Sequence, residues 1–231
     1  MSQPTGQNRQ TLQTLQAQVL AALPQTQCTR CGYPDCAAYA SAIANDGAPI
    51  NQCPPGGQQG IERLAAITRQ PALAHLPLNP QNGIEGPRAV AVIDENWCIG
   101  CTLCIDACPT DAILGSHKRM HTVIEPYCTG CELCLPVCPV DCIAMQKVTG
   151  ASTGWAAWSQ AQADEARARY EFRTERLAKR QVEKSGRQEA ELEATLADMP
   201  AHSRIEDPAL LAKKRAVVEA ALARARARKP G

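Results

Sequence analysis

A four-cysteine pattern that occurs twice, thirty residues apart, constrains this 231-residue chain more than any other feature. The segment CIGCTLCIDACPTDAIL begins at Cys98 and CTGCELCLPVCPVDCIA begins at Cys128, and nine of their seventeen positions are identical. A short apolar stretch precedes each segment, Val92-Ile93 in the first and Val123-Ile124 in the second. Each repeat therefore predicts a strand, a cysteine loop, a short helix and a second strand. Two such units related by a pseudo-twofold axis would form one compact domain.

The spacing within each repeat, C-x₂-C-x₂-C-x₃-C-P, is typical of ligands to a cubane [4Fe–4S] cluster. Each of the four irons takes one thiolate, and in two-cluster ferredoxins the fourth cysteine of each run ligates the other cluster. Two sites with crossed ligation follow. The first-repeat site comprises Cys98, Cys101, Cys104 and Cys138, and the second-repeat site comprises Cys128, Cys131, Cys134 and Cys108. Zinc bound by CxxC pairs is the alternative, but two complete runs with their trailing prolines favour iron–sulfur clusters.

Other residues of the repeats are expected to support these loops. Gly100 and Gly130 would let the loop backbone approach the sulfurs closely. The aromatic residues Trp97 and Tyr127 stand directly before the first cysteine of each run. We expect both rings to pack over the loops and to exclude water from the sites.

Four more cysteines precede the repeats and define an N-terminal site. The order is Cys28-x₂-Cys31-x₄-Cys36, and sixteen residues separate Cys36 from Cys53. Three near thiolates and one distant thiolate suit a cubane, although Cys₄ zinc sites also use a CxxC pair and remote cysteines. Here the last two cysteines are single residues rather than a second CxxC, which favours a cluster.

The cysteine count fits three [4Fe–4S] clusters, because three sites of four ligands use twelve of the thirteen cysteines. The remaining one, Cys142, occupies the place of Ala112 in the first repeat. We expect Cys142 to be a core thiol beside the cluster, and ligand exchange or a redox role is the alternative.

The chain start and the apolar runs indicate the compartment. Met-Ser-Gln-Pro opens the chain without the charged and apolar regions of a secretory signal. Clustered cysteines in a protein that is not exported are metal or cluster ligands more often than disulfides. A membrane span needs about 18 consecutive apolar residues, and none is present. We therefore expect no integral membrane segment and a cytoplasmic location.

Composition and the positions of prolines and glycines predict an α+β protein of four parts. These are a small helical 4Fe–4S domain (1–75), a linker (76–88), a two-cluster ferredoxin-like domain (89–150) and a charged helical C-terminal extension (151–231). The first part has predicted helices at 10–23, 37–45 and 61–68, and the extension has a predicted helix break at Met199-Pro200 and a restart at Asp207-Pro208. Residues 1–150 carry 8 basic and 11 acidic side chains, whereas residues 151–231 carry 16 and 12, which marks a boundary near Gly150.

The block from Leu23 to Val148 resembles the B subunit of the Rnf (Rsx) electron-transport complex. The matching pieces are LPQTQCTRCGYPDC, INQCPPGG, AVIDENWCIGCTLCIDACPTDAI and MHTVIEPYCTGCELCLPVCPVDCI. The first cysteine group is also similar to the small cluster domain of corrinoid iron–sulfur proteins. The resemblance implies a ferredoxin-like subunit that passes electrons within a membrane complex coupling ferredoxin and nicotinamide nucleotide chemistry to ion movement. Typical members begin with a hydrophobic anchor. No apolar run of that length occurs in this sequence, so we expect any membrane contact to be peripheral, at the inner face of the cell membrane.

The expected function is an electron relay between redox proteins such as ferredoxin, a reductase or Rnf-type subunits. The alternatives are a docked subunit of a membrane-bound ion-translocating complex and a structural or regulatory metal-binding module. The sequence has no P-loop, no dinucleotide-binding glycine motif and no acid–base pair that defines a substrate site, so an enzymatic role of its own stays open.

Two further features are interpreted without a functional role. The four histidines, His75, His117, His121 and His202, have neither metal-site nor nucleophile–base spacing. Arginines at 224, 226 and 228 could contact an acidic surface, but glutamates interleave with the basic residues of the tail and no aromatic accompanies them. This pattern favours a solvated or partner-docking helix and argues against nucleic acid.

Overall fold

The computed structural model describes residues 6–227, with side chains from residue 13 onward. The chain divides into two compact units, Met1–Glu171 and Phe172–Gly231. The helices are α1 (Gly6–Ala21), α2 (Cys36–Asp46), α3 (Gly57–Ile67), α4 (Leu103–Ala107), α5 (Gly154–Ala157), α6 (Gln160–Ala197) and α7 (Pro208–Ala227). The strands are β1 (Ala89–Ile93), β2 (Ile113–Leu114), β3 (Thr122–Val123) and β4 (Ile143–Lys147). The fold is thus mixed, with helices and small two-stranded sheets.

Helices α1 to α3 enclose the first hydrophobic core. The three predicted helices of this region are confirmed within a few residues. Asp35 caps α2 by accepting a hydrogen bond from the Ala38 N–H (2.6 Å), and Gly47 ends the helix with a φ of 68°. The buried side chains at the centre of this core include Val19, Leu23, Tyr39, Ile43, Ile61 and Leu64.

The proline-rich segment after α3 lies against these helices. Its backbone forms 3₁₀ turns at Pro71–Leu73 and Pro80–Asn82. The side chain of Asn51 donates a hydrogen bond to the Pro77 carbonyl (2.8 Å), and the side chain of Asn82 donates to the Arg30 carbonyl (2.9 Å). The segment therefore connects the first core to β1 while remaining anchored to the loop that carries the first cysteines.

The cysteine repeats fold around two antiparallel strand pairs. Strand β1 pairs with β4, with Ala89 opposite Lys147 and Ile93 opposite Ile143. Strand β2 pairs with β3 in the same antiparallel manner. Because β1 precedes the first cysteine run and β4 follows the second, this pairing joins the two ends of the region.

The second repeat lacks the short helix that the sequence predicts for both repeats. The first repeat forms α4, but residues 132–138 form turns, with the Leu135 N–H donating to the Glu132 carbonyl and the Cys138 N–H to the Leu135 carbonyl (both 3.1 Å). Pro136 stands at the position of Asp106 in α4. Proline has no N–H and disfavours helical backbone in the preceding residue, so this helix cannot continue.

The chain after β4 packs back onto the first core. Trp158 is buried and its indole N–H donates to the Pro24 carbonyl (2.9 Å). The guanidinium of Arg63 lies 3.7 Å from the centre of the Trp155 ring. This part of the chain therefore belongs to the first unit, up to Glu171.

The second unit consists of the remainder of α6 and α7. The predicted break at Met199-Pro200 and the restart at Asp207-Pro208 are confirmed, and Asp207 caps α7 by accepting from the Ala209 N–H (2.8 Å). Arg226 on α7 pairs with Glu189 (3.2 Å) and Glu193 (2.6 Å) on α6. Within residues 6–227, no helix has both the length and the apolar character needed to span a bilayer.

Candidate metal centres

The N-terminal site is assembled from two loops and one helix start. Cys28 and Cys31 lie between α1 and α2, Cys36 is the first residue of α2, and Cys53 precedes a 3₁₀ turn. The Cys53 thiol interacts electrostatically with the other three thiols. Burial raises the pKa of Cys36 to about 12 and that of Cys53 well above its ordinary value. The structure thus brings together the four sulfurs that the spacing groups.

Two buried glutamines shape the loop that carries Cys28, and sequence reasoning missed them. Gln25 and Gln27 both have positive φ values, of 58° and 54°. The side-chain oxygen of Gln27 accepts a hydrogen bond from the backbone N–H of Cys36 (3.0 Å), and its amide group donates to Gln25 (3.2 Å). Asparagine is the usual polar residue at positive φ, so glutamine at these positions gave little signal.

The second-repeat site contains the crossed cysteine. The Cys134 thiol interacts electrostatically with those of Cys131, Cys128 and Cys108, and the four line one cavity. Backbone N–H groups donate to two of the sulfurs: Ala112 to Cys108 (3.2 Å) and Ala91 to Cys128 (3.4 Å). Burial raises the pKa of Cys131 and of Cys134 to about 12.

The first-repeat site includes Cys142 as a neighbour. The Cys104 thiol interacts with those of Cys101 and Cys98, and burial raises the pKa of Cys104 to about 11. The sulfur of Cys138 lies 3.5 Å from that of Cys142. Burial, together with contacts of Cys138 and Cys98, raises the pKa of the Cys142 thiol to about 12. Cys142 therefore bridges Cys138 to the loop of the first repeat.

The two loop glycines lie against the backbone of other segments, which is a different close approach from the one to the sulfurs that the sequence predicts. Gly100 has a φ of 67°, and a Cβ there would lie 2.5 Å from the backbone nitrogen of Arg119. Gly130 has a φ of 70°, and a Cβ there would lie 2.3 Å from the Ala89 carbonyl oxygen. Neither neighbour is a flexible side chain, so only glycine fits at these positions.

The two aromatic residues differ from one another, and the expectation for Trp97 is wrong. Trp97 is 69% exposed and does not cover its loop. Tyr127 is half-buried, and the guanidinium of Arg169 lies 3.4 Å from its ring centre. Arg169 also donates to the Thr110 carbonyl (2.8 Å), so its guanidinium contacts both the Tyr127 ring and the segment that follows Cys108.

One histidine lies beside a site cysteine, which its spacing did not reveal. His121 is 1% exposed and its Nδ1 lies 3.3 Å from the sulfur of Cys104. In the thirty-residue offset, His121 corresponds to Ala91, which contacts Cys128 through its backbone. This alignment of His121 with Ala91 could have identified His121 as a neighbour of a ligand cysteine.

The loops of the N-terminal and second-repeat sites contact each other. The Thr129 hydroxyl donates to the Thr26 carbonyl (3.0 Å). Arg30, between Cys28 and Cys31, pairs with Glu132 in the second run (2.7 Å). These contacts hold two cysteine loops side by side within the first unit.

The donor chemistry of the three sites fits iron–sulfur clusters. Thiolates are the ligands that [4Fe–4S] clusters use, and N–H groups directed at ligand sulfurs are part of their usual surroundings. None of the thirteen cysteines, all within the described residues, forms a disulfide. In the same residues, no three His, Cys, Asp or Glu side chains are arranged to hold a single metal ion. Which thiols ligate which cluster stays a prediction.

Comparison with known families agrees with this chemistry. The 4Fe-4S dicluster domain family matches residues 91–145, and an Fe-S cluster family matches residues 23–55. Fold and sites together define a ferredoxin-like iron–sulfur electron-transfer protein with [4Fe–4S] chemistry. No solved structure matches the chain.

Curated relatives specify the family. The B subunit of the ion-translocating oxidoreductase complex from Azoarcus sp. is 58% identical over 135 residues, which cover 58% of this chain and 72% of the relative. The B subunit of the same complex from Alkalilimnicola ehrlichii is 54% identical over 152 residues, covering 65% and 79%. That from Erwinia tasmaniensis is 53% identical over 138 residues, covering 60% and 71%. The chain belongs to this family, the B subunits of ion-translocating oxidoreductase complexes, as the resemblance to the Rnf complex predicts.

Proposed function

We propose that the chain holds three [4Fe–4S] clusters and relays electrons between redox proteins. The N-terminal, first-repeat and second-repeat sites would each supply four thiolates, in the sets defined by their spacing. A bound [4Fe–4S] cluster supplies reversible one-electron transfer. The observation that carries the proposal is the approach of Cys108 to Cys128, Cys131 and Cys134, because this crossing requires both repeats to fold as one unit.

The proposal includes the four-part organisation and the pseudo-twofold relation of the repeats. The thirty-residue offset and the pairing of β1 with β4 support a single domain over 89–150. Residues 1–75 would form the N-terminal cluster domain, 76–88 the linker and 151–231 the charged extension, whose first part, up to Glu171, packs within the first unit. The turns around Pro136 limit the symmetry to the strands and the cysteine loops.

We further propose an order for the relay. Thr26 and Arg30 flank the first cysteines of the N-terminal site, and they contact Thr129 and Glu132 beside the cysteines of the second-repeat site. Cys108 and Cys138 then connect the two repeat sites, because each lies in one cysteine run and would ligate the cluster of the other. Electrons would therefore pass between the N-terminal and first-repeat sites through the second-repeat site.

The partners are proposed from the relatives. Their name describes a subunit of an ion-translocating oxidoreductase complex. We propose that this chain serves the same kind of complex, with ferredoxin, a reductase or Rnf-type subunits as partners. Electron transfer would take place on the cytoplasmic side, with contact to the inner face of the membrane through protein partners.

The first experiment is anaerobic purification of the full chain followed by iron, sulfide and zinc determination. Three clusters predict about twelve irons and twelve sulfides per chain. Fewer than about eight irons, or stoichiometric zinc, would overturn the three-cluster relay. Affinity purification from the native cell, with membrane and soluble fractions kept apart, then tests the partners. Recovery with membrane redox subunits supports the complex, and recovery only with soluble redox proteins contradicts it.

A further inference from the structure

His121 lies in a space that the fold keeps open for its ring. The residue directly precedes β3 and is 1% exposed. A Cβ at Gly115 would lie 2.1 Å from the imidazole Cδ2, so any other residue there would displace the ring. The imidazole Nε2 has no hydrogen-bond partner in the described part of the chain, and Nδ1 lies 3.3 Å from the sulfur of Cys104. The contact with Cys104 is therefore the polar contact that orients the ring.

We propose that His121 is a positioning residue that donates a hydrogen bond to the Cys104 sulfur and raises the reduction potential of the first-repeat site. This inference rests on the proposed function. An iron-bound thiolate has no proton, so it can only accept, and the nitrogen that faces it must carry the hydrogen. A hydrogen bond to a ligand sulfur stabilises the more negative, reduced state of a cluster.

The second-repeat site has no imidazole at the equivalent position. The hydroxyls of Thr110 and Thr129 lie near its Cys108 and Cys131 thiols, but they donate their hydrogens to the carbonyls of Tyr127 (2.9 Å) and Thr26 (3.0 Å). Ala91 occupies the position that corresponds to His121, and it reaches Cys128 only through its backbone N–H (3.4 Å). The methyl side chain of Ala91 offers no donor. The imidazole therefore distinguishes two sites whose ligand spacing is the same. By raising the reduction potential, the imidazole would make the first-repeat site, at one end of the proposed relay, the easier of the two repeat sites to reduce.

The test is a redox titration of the full, cluster-loaded chain followed by electron paramagnetic resonance. Cys101→Ser and Cys131→Ser variants assign the signals, because each perturbs one repeat site. His121→Phe keeps a planar ring but removes the donor. We expect the first-repeat potential to become more negative in this variant, the second-repeat potential to stay unchanged, and iron and sulfide contents to match the wild type.

A second variant separates the hydrogen bond from the identity of the residue. Gly115→Ala keeps His121 but displaces its ring, and it should shift the first-repeat potential in the same direction. His121→Gln supplies an amide N–H and should restore part of the wild-type value. Thr122→Val changes an exposed neighbour and should have no effect on either potential.

The outcomes distinguish this inference from the proposed function. Unchanged first-repeat potentials in both His121→Phe and Gly115→Ala, with full iron content, overturn the role of His121 and leave the relay intact. A wild-type chain without two distinct repeat clusters overturns the proposed function, and the inference with it. A shift of the second-repeat potential equal to that of the first would indicate a general structural change and also contradict the proposal.

Discussion

The hydroxyl of Thr129 donates a hydrogen bond to the carbonyl oxygen of Thr26 across 3.0 Å, although the two residues are 103 positions apart. Both residues are 6% exposed, so water does not compete for this bond. The nearby ion pair of Arg30 and Glu132 has side chains that are 34% and 45% exposed. Exposed pairs contribute about 0–1 kcal/mol, so the buried bond dominates the polar contact between the two loops.

Replacement of Thr129 by valine should loosen the contact between the N-terminal and second-repeat sites. The variant keeps the shape of the side chain but leaves the Thr26 carbonyl unpaired, at a cost of about 1–3 kcal/mol in the free energy of unfolding. Iron content should stay at the wild-type level, while electron transfer between the two sites should slow. Thr122→Val, on the exposed side of β3, is the matched control. Wild-type unfolding and electron-transfer rates in Thr129→Val would contradict the proposed route.

Replacement of Cys108 by serine should damage the second-repeat site rather than the first-repeat site. Cys108 lies within the first run, but its thiol approaches Cys131 and Cys134. We expect the loss of about four irons per chain, or conversion of one cluster, with the other repeat signal preserved in electron paramagnetic resonance. Cys98→Ser should show the reverse pattern. Loss of only the first-repeat signal in Cys108→Ser would refute crossed ligation.

Alanine at either loop glycine should reduce cluster retention. Positive φ costs a residue with a Cβ about 1–2 kcal/mol, and the contacts with the Arg119 nitrogen and the Ala89 oxygen add a steric penalty. Gly100→Ala and Gly130→Ala should therefore lower both the melting temperature and the iron content. Gly86→Ala is the control, because a Cβ there meets nothing within 4 Å. Equal iron content in all three variants would show that the loops accommodate the change.

Cysteine spacing predicted which thiols of one run lie together, because the three near cysteines of a run share one loop. The same holds for α2, where Asp35 and Gly47 mark the start and end. The crossed approach of Cys108 followed from the two-cluster ferredoxin pattern rather than from local structure. The contact between Thr26 and Thr129 could not be predicted, because it depends on how two distant loops pack. Trp97 shows the same limit, since an aromatic residue before a cysteine gives the same pattern whether its ring is buried or exposed.

The absence of a helix in the second repeat could have been predicted. Identity at nine of seventeen positions suggested equal structures, but Pro136 replaces Asp106 where a helix needs an N–H. His121 was also within reach, because its repeat partner, Ala91, lies on a strand beside the second-repeat site. In both cases the differences between the repeats carried more information than the identities.

Cys142 should be dispensable for cluster binding, in contrast to Cys138. Its sulfur lies 3.5 Å from that of Cys138, but it occupies the position of a small core residue in the first repeat. Cys142→Ala should therefore retain about twelve irons per chain, and Cys138→Ala should lose or convert the first-repeat cluster. Full iron content in Cys138→Ala, lost only when both cysteines are replaced, would show that Cys142 serves as a ligand.

Removal of the clusters should make the stability of the first unit sensitive to alkaline pH. Burial raises the pKa of Cys36, Cys131 and Cys134 to about 12, whereas an unfolded thiol has a pKa of about 8.5. Between these values the folded chain binds more protons than the unfolded chain, so stability is fully present below about 8.5 and falls as pH rises toward 12. In the loaded protein the thiolates are bound to iron and have no proton to lose, so the fall should be absent. Urea unfolding under anaerobic, reducing conditions at about pH 8 and about pH 10 measures the difference. A cluster-free chain whose midpoint is equal or higher at the upper pH would show that these thiols are not buried as neutral groups.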